Sequence, residues 1–382
     1  MDQLRMENQS HPKKPSRLFP LDALRGLLII LMALDHANFH IAQQHSSGEY
    51  WGGYYPVFDG AQGFLTRFVT HLSAPGFFFL MGAGMILLQS SRRKKGWKDS
   101  EIRWHFLARG LVLIILQLVL NYGQIWSTRG TAIPLWYGGV LAALGAGMII
   151  CIFLLDLKPV FLGGIAVWLF IVLEFFTPSP LMWGRNFEQL AGVLLIFGGG
   201  GENFWINYPL LAWVELIVCG MLFGRILLKR KKNAYQWGAY IGLVLLLGFV
   251  LLRSLNGFGT IRPLAKDTWM GFLSVVKYPP SLAFVLLTMG INLLLLWGFS
   301  FFGEKEISEW NPLLVFGRVP LFSYVVHIVI YLILGRLFFP HGTSLGIMYL
   351  VWLGGLGIMY FPARWYGIFK SAKPSRSTVR LF

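Results

Sequence analysis

Long apolar stretches, separated by short polar, glycine-rich or proline-rich segments, recur along almost the whole chain of 382 residues. A run of about 18 or more apolar residues is long enough to cross a bilayer as an α-helix. The pattern therefore predicts an all-α, polytopic transmembrane helix bundle embedded in a lipid bilayer. We expect about ten spans, near 20–40, 72–90, 104–122, 135–155, 159–176, 208–227, 236–253, 281–300, 318–338 and 345–362.

The composition excludes a soluble globular protein. Hydrophobic residues make up 55% of the chain and charged residues 13%, whereas soluble domains carry about 25% charged residues. The net charge of +16 does not indicate nucleic-acid binding, because the cationic excess lies in short loops between apolar runs. Cys151 and Cys219 both fall inside apolar runs, so the sequence contains no disulfide framework.

The distribution of Lys and Arg predicts the orientation of the bundle. Most of these residues lie in segment 1–18, in the loop after the second span, in the cluster 225–232 and in segment 366–382. Because cytoplasmic loops are enriched in Lys and Arg, we expect both termini in the cytoplasm as basic tails, with residues 19–365 forming one transmembrane domain. The long segments on the opposite side are rich in Gly, Pro, Trp and Tyr and are expected to cover a cavity; they are 41–71, 177–207 and 254–280.

Ionisable residues in the first predicted span are the strongest chemical signal. Ionisable groups are costly in a bilayer and usually face the bundle interior or a wet cavity. Asp22 and Arg25 lie near the cytoplasmic end, where they either pair at i, i+3 or take part in a site. Asp35, His36 and His40 lie ~20 Å further along the helix. A carboxylate beside an imidazole can set its tautomer and raise its basicity, so we expect Asp35 and His36 to form a catalytic couple.

Further histidines are expected near the same outer end. His71 opens the second predicted span and either converges with His36 or is an interfacial residue. His36, His40, His45 and His71 together raise zinc as an alternative, but no pair has the helical carboxylate-plus-histidine signature of a hydrolytic metal site. We therefore expect no metal.

Other polar residues lie deeper in the predicted membrane. His327 follows Arg318 by nine residues, near mid-membrane, and either packs as a satisfied core histidine or lines a tunnel. Arg109 and Glu215 are expected to form a structural ion pair. The basic inner loops reflect topology, and they also suit a phosphorylated donor such as coenzyme A.

Five ordered segments resemble the heparan-alpha-glucosaminide N-acetyltransferase family. The first is Arg17 to Gly26, with the core Leu21-Asp22-Ala23-Leu24-Arg25-Gly26. The others are Thr66 to Gly82 with Thr70-His71 and Pro75, Tyr208-Pro209-Leu210-Leu211-Ala212-Trp213, Lys277-Tyr278-Pro279-Pro280-Ser281, and Gly317-Arg318-Val319-Pro320-Leu321-Phe322 leading to His327. The five segments occur in the same order as in the family, and the resemblance extends from Arg17 to about Trp365. It therefore covers nearly the whole chain.

This resemblance implies an acyltransferase. It implies transfer of an acetyl group from cytoplasmic acetyl-CoA to an amino sugar or glycan acceptor across the membrane, by a bacterial member in the plasma membrane. In the animal lysosomal members a loop histidine before the second span is implicated in catalysis. That histidine would fall near Ala61, where this chain has none, while His36 stands where those relatives have Asn. The departure argues against heparan sulfate itself as acceptor.

We therefore predict an acetyl-CoA-dependent N- or O-acetyltransferase with two groups of site residues. Asp35, His36, His40 and His71 are the catalytic candidates, and His36 acts either as a general base or through an acyl-histidine intermediate. The residues expected to bind the acetyl-CoA donor are Asp22, Arg25, Lys305, Arg318 and His327. A homodimer is compatible with these predictions. One competing interpretation is a transporter or lipid flippase that uses the intramembrane Asp, His and Arg residues as a relay. Another is a non-catalytic membrane subunit.

Overall fold

The computed structural model describes residues 18–45, 49–52, 55–127, 136–264, 268–302 and 308–382. Its helices follow one another in the order that the spacing of the apolar runs predicts. The α-helices are α1 (Phe19–Ala37), α2 (Gly60–Thr70), α3 (Ser73–Arg93), α4 (Asp99–Ser127), α5 (Val140–Cys151), α6 (Pro159–Phe176), α7 (Leu190–Gly192), α8 (Leu210–Lys229), α9 (Lys231–Leu255), α10 (Trp269–Leu273), α11 (Leu282–Phe299), α12 (Pro312–Arg318), α13 (Pro320–Phe338) and α14 (Leu345–Ala372).

Eight helical segments in the described part of the chain are long and apolar enough to cross a membrane. They are the continuous pair α2–α3, α4, α6, α8, α9, α11, α13 and α14. The remaining two predicted spans coincide with α1, which carries Asp22, Arg25 and Asp35 within its 19 residues, and with the 12-residue helix α5. The prediction of an all-α polytopic membrane bundle is confirmed.

Glycines allow the central helices to pack backbone against backbone. A Cβ atom added at Gly82 of α3 would lie 1.9 Å from the Ile217 carbonyl oxygen of α8, and one at Gly220 would lie 1.9 Å from the Phe79 carbonyl oxygen. Small residues are the usual means by which membrane helices approach closely, since lipid gives no hydrophobic drive to associate. The α3–α8 pair is therefore closely packed, and α1 and α11 pack against its helix α3.

We call the end of the bundle that carries Arg25 and Arg318 the inner end, and the end that carries His36 and Glu49 the outer end, following the predicted orientation. At the outer end the long connections pack on one another. Three short strands pair there, in the order β1 (Trp136–Gly138), β3 (Phe204–Ile206) and β2 (Gly199–Gly200), with β1 parallel and β2 antiparallel to β3. Trp51, Val193, Phe197 and Val276 form a buried cluster among these connections.

Candidate active site

An inner cavity of about 570 Å³ opens among α1, α3, α4, α5, α12, α13 and α14. The inner part of its wall carries four cationic side chains and one carboxylate. The deeper part is apolar and ends at the phenol of Tyr324. The charged lining residues are Asp22, Arg25, Arg109, Arg318 and Lys370, and the deeper lining includes Ile29, Met32, Phe77, Leu80, Met81, Leu113, Leu141 and Tyr324.

Arg109 and Arg318 form no ion pair among the described residues, whereas Arg25 and Lys370 have partners. Arg25 Nη1 donates to Asp22 Oδ1 at 2.8 Å. The two residues thus form the i, i+3 pair that was one of the two alternatives, and Arg25 also lines the cavity. The Nε atoms of Arg109 and Arg318 are buried and have no hydrogen-bond partner among the described residues. A cavity with such an excess of positive charge attracts a polyanion from solution.

Two histidines meet where the cavity ends. His36 Nδ1 and His327 Nε2 are 2.9 Å apart, and both rings contact Tyr324, with centroids 6.0 Å and 5.4 Å from the phenol ring. His40, one turn along from His36, stacks at 6.5 Å from it. His327 is buried, whereas His36 is half-buried. His36 therefore stands between the inner cavity and the outer end.

A buried ion network lies on the other side of α1. Arg67 Nη1 binds the Asp35 carboxylate, and its Nε donates to Glu49 Oε1 at 2.6 Å. Thr70 Oγ1 donates to Asp35 at 2.8 Å, and His71 Nε2 is 2.8 Å from Glu49 Oε1. Arg67 and Glu49 are 1% and 2% exposed. Burial alone would raise the pKa of Glu49, but Arg67 and His71 hold this pKa well below its usual range.

Lys277 adds an ammonium group to the same region. It is 4% exposed, and its backbone N–H donates to the Glu49 carbonyl oxygen at 2.9 Å. Its Nζ lies 5.1 Å from the centre of the Tyr278 ring. Burial, reinforced by the nearby charge of Arg67, lowers the pKa of Lys277 to about 8.

The structure does not bring the Asp35 carboxylate to the His36 imidazole, and the catalytic roles of the two residues stay a prediction. Successive residues of an α-helix point about 100° apart, so Asp35 faces Arg67 and Thr70 while His36 faces His327 on α13. His71 likewise contacts Glu49. The structure thus divides the predicted catalytic residues into a histidine group and an ion network.

The predicted donor residues are also divided. Asp22, Arg25 and Arg318 line the inner cavity together, while His327 lies beyond its apolar end, against His36. Lys305 lies outside the described residues.

Arg109 and Glu215 do not form the predicted ion pair. Arg109 lines the inner cavity, whereas Glu215 Oε2 is buried without a hydrogen-bond partner in the described part of the chain. Both lie on apolar helices, but α4 and α8 present them to different surroundings, which hydrophobic periodicity alone cannot distinguish.

The predicted site residues do not include Arg67, Glu49, Arg109 and Lys370, which the structure places in these sites. Arg67 stands four residues before His71, so helical spacing already puts the two on one face. Glu49 lies in a polar connection with no comparable signal. Arg109 and Lys370 occur in helices 261 residues apart in the chain, and packing brings them to one cavity.

Residues 17–256 match the family model described as heparan-alpha-glucosaminide N-acetyltransferase, catalytic. The matched range includes all of α1 to α9, and therefore His36, Arg67 and Arg109. Arg318 and His327 lie beyond it. Comparison with curated proteins gives no match.

Proposed function

Because this chain belongs to the heparan-alpha-glucosaminide N-acetyltransferase catalytic family, we propose that it transfers an acetyl group from cytoplasmic acetyl-CoA to an amino sugar or glycan acceptor at the outer end. The coarser assignment, an integral membrane enzyme of the acetyltransferase type, follows from family membership and the apolar helices. Membership also favours an enzyme over a transporter or a non-catalytic subunit.

The observation that carries the donor assignment is the inner cavity, cationic at its mouth and ending beside His36. The phosphates of acetyl-CoA would bind Arg25, Arg109, Arg318 and Lys370, since Arg and Lys are the usual phosphate ligands. His36 follows Arg25 by eleven residues on α1, a rise of ~16 Å. The pantetheine arm is about as long as four residues of extended peptide, roughly 14 Å, so the thioester would arrive beside His36.

The outer end supplies the acceptor side. Aromatic and amide groups lie next to the ion network, beginning at Tyr50, which follows Glu49. Trp205 Nε1 donates to Asn207 Oδ1 at 2.8 Å, and Tyr50 also donates to Asn207. Ligand sites commonly combine aromatic walls with a few fixed polar groups. An amine or hydroxyl held here would approach the exposed side of His36, opposite the thioester.

In the proposed step the acceptor nitrogen or oxygen attacks the thioester carbonyl carbon while His36 takes the proton of the acceptor. The tetrahedral intermediate then collapses, the C–S bond breaks, and the CoA thiolate leaves into the inner cavity. An attack by His36 itself, forming an acetyl-histidine, is the alternative route. Incubation with labelled acetyl-CoA without acceptor distinguishes the two, since only the second route labels the protein.

The proposal is tested with purified protein in detergent, acetyl-CoA, and a panel of amino sugars and neutral sugars, with product detection by mass spectrometry. We expect acetylated sugar and stoichiometric release of CoA. CoA should raise the melting temperature, because a ligand of the native state stabilises it, and Arg318→Ala should weaken this rise. Arg103→Ala is the matched control, since Arg103 is an exposed cation paired with Asp156 outside the cavity. No stabilisation at millimolar CoA would contradict the donor assignment.

A further inference from the structure

Three hydrogen-bonded groups connect α13 to α1 at the end of the inner cavity. His327 Nδ1 lies 2.8 Å from the backbone carbonyl oxygen of Ser323, one turn earlier on α13. His327 Nε2 lies 2.9 Å from His36 Nδ1. Both nitrogens of His327 are therefore engaged, and the ring is 1% exposed.

The donors and acceptors of these hydrogen bonds fix which ring nitrogens of His327 and His36 carry a hydrogen. A carbonyl oxygen can only accept, so His327 Nδ1 must carry a hydrogen and donate it to Ser323. A neutral imidazole has one donor and one acceptor nitrogen, and His327 Nε2 is therefore the acceptor. The hydrogen between the rings then belongs to His36 Nδ1. His36 is left with its lone pair on Nε2.

We infer that His327 is a positioning residue that holds His36 in the Nδ1–H tautomer, so that Nε2 is the base of the acetyl transfer. This inference rests on the proposed function and reassigns His327 from donor binding. The arrangement has the logic of a catalytic triad, in which a third group fixes the tautomer and orientation of the histidine base. Here a second imidazole, itself held by a backbone carbonyl, takes the place of the carboxylate.

The proton taken by His36 has a destination in the departing thiolate. When His36 Nε2 accepts the proton of the acceptor, His36 carries the positive charge, and its Nδ1–H stays bonded to His327 Nε2. His327 stays neutral and keeps the ring of His36 oriented, as the third group of a triad does. His36 Nε2 then gives its proton to the thiolate, so protons and charge balance over the cycle.

Two substitutions separate a positioning role from a structural one. The amide oxygen of Gln can accept from His36 Nδ1–H, so His327→Gln should keep turnover within about 10-fold of wild type, the scale of one altered hydrogen bond. His327→Leu offers no acceptor and should lower kcat by roughly 10²-fold. In both variants the KM for acetyl-CoA and the CoA-induced stabilisation should be unchanged.

The matched control is Tyr331→Phe, one turn further along α13, which removes a buried hydrogen bond from Tyr331 to the Trp352 carbonyl oxygen. It should lower stability without changing kcat per folded molecule. Equal losses of kcat in His327→Gln and His327→Leu would overturn the tautomer argument. A raised KM for acetyl-CoA with unchanged kcat would return His327 to the donor site.

A second measurement does not depend on the variants folding. In protein labelled with ¹⁵N at histidine side chains, with the His36 signals identified by their loss in His36→Gln, the inference requires a protonated Nδ1 and an unprotonated Nε2 at neutral pH. The opposite tautomer would overturn it. If wild type shows this tautomer but transfers no acetyl group, the proposed function fails and the positioning geometry stands.

Discussion

Gly26 of α1 and Gly317 of α12 lie back to back, with no room for a side chain between the two helices. A Cβ atom at Gly317 would lie 1.8 Å from the Asp22 carbonyl oxygen, and one at Gly26 would lie 1.9 Å from the Leu313 carbonyl oxygen. Gly26 directly follows Arg25, and Gly317 directly precedes Arg318. The close approach of the backbones therefore brings both guanidinium groups into the inner cavity.

Replacing Gly26 by Ala should push α1 and α12 apart. We expect a loss of about 1–3 kcal/mol in the free energy of unfolding, the usual cost of overpacking, together with weaker stabilisation by CoA. The control is Gly164→Ala in α6, where an added Cβ meets nothing within 4 Å. That variant should be neutral or gain up to about 1 kcal/mol of helix propensity. Equal melting temperatures for the two variants would contradict the packing argument.

The ion network at the outer end should be sensitive to the loss of one charge. Glu49→Gln leaves the buried Arg67 with a single carboxylate partner, and breaking a buried pair typically costs about 3–5 kcal/mol. We expect a correspondingly large drop in the unfolding free energy in detergent. Asp99→Asn, which breaks an exposed pair with Arg93, should cost less than about 1 kcal/mol. Similar losses in both variants would mean that burial does not strengthen the network.

The sequence predicts the spans well and the contacts between them poorly, for a physical reason. A bilayer requires long apolar helices with internally satisfied backbones, so every predicted span coincides with a helix. Partner choice depends on tertiary packing: His36 and His327 are 291 residues apart in the chain, and no spacing rule links them. Adjacency in sequence suggested Asp35 as the partner of His36, although neighbouring helix positions face different directions.

Lys277 should make stability depend on pH above neutrality. Its pKa is lowered to about 8 by burial and by Arg67, while the ordinary value is about 10.4. Between these values the unfolded chain holds the proton and the folded protein releases it, so the stability of wild type rises with pH. Lys277→Met lacks this effect. We expect the variant to be more stable than wild type at pH 7 and this advantage to shrink by pH 9.5, as measured by melting temperatures. A constant difference would mean that the ammonium is not desolvated.

The predicted orientation is tested by labelling introduced cysteines. Val57 and Leu181 are 88% and 89% exposed in the segments expected outside, whereas the exposed Ser100 follows the cationic loop expected in the cytoplasm. Cysteines placed at the first two positions should react with an impermeant thiol reagent on intact cells, and Ser100→Cys should react only after lysis. The reverse pattern would exchange the donor and acceptor ends.

Substitution of His36 should lower turnover, whereas substitution of Asp35 should mainly lower stability. His36→Ala deletes the proposed base without exposing a buried charge, so we expect turnover to fall by roughly 10²-fold or more while CoA-induced stabilisation persists. Asp35→Asn takes a carboxylate from Arg67, so its main effect should be a lower melting temperature.

Transfer rates normalised to folded protein separate these effects, because they remove differences in yield and stability. Near-native turnover in His36→Ala would assign the base to another histidine, and His40→Ala and His71→Ala would then identify it. A loss in Asp35→Asn as large as that in His36→Ala, at equal folded fraction, would show that the carboxylate acts in the reaction itself, despite its contacts with Arg67 and Thr70. The structure predicts the opposite, because His327 rather than Asp35 contacts the imidazole of His36.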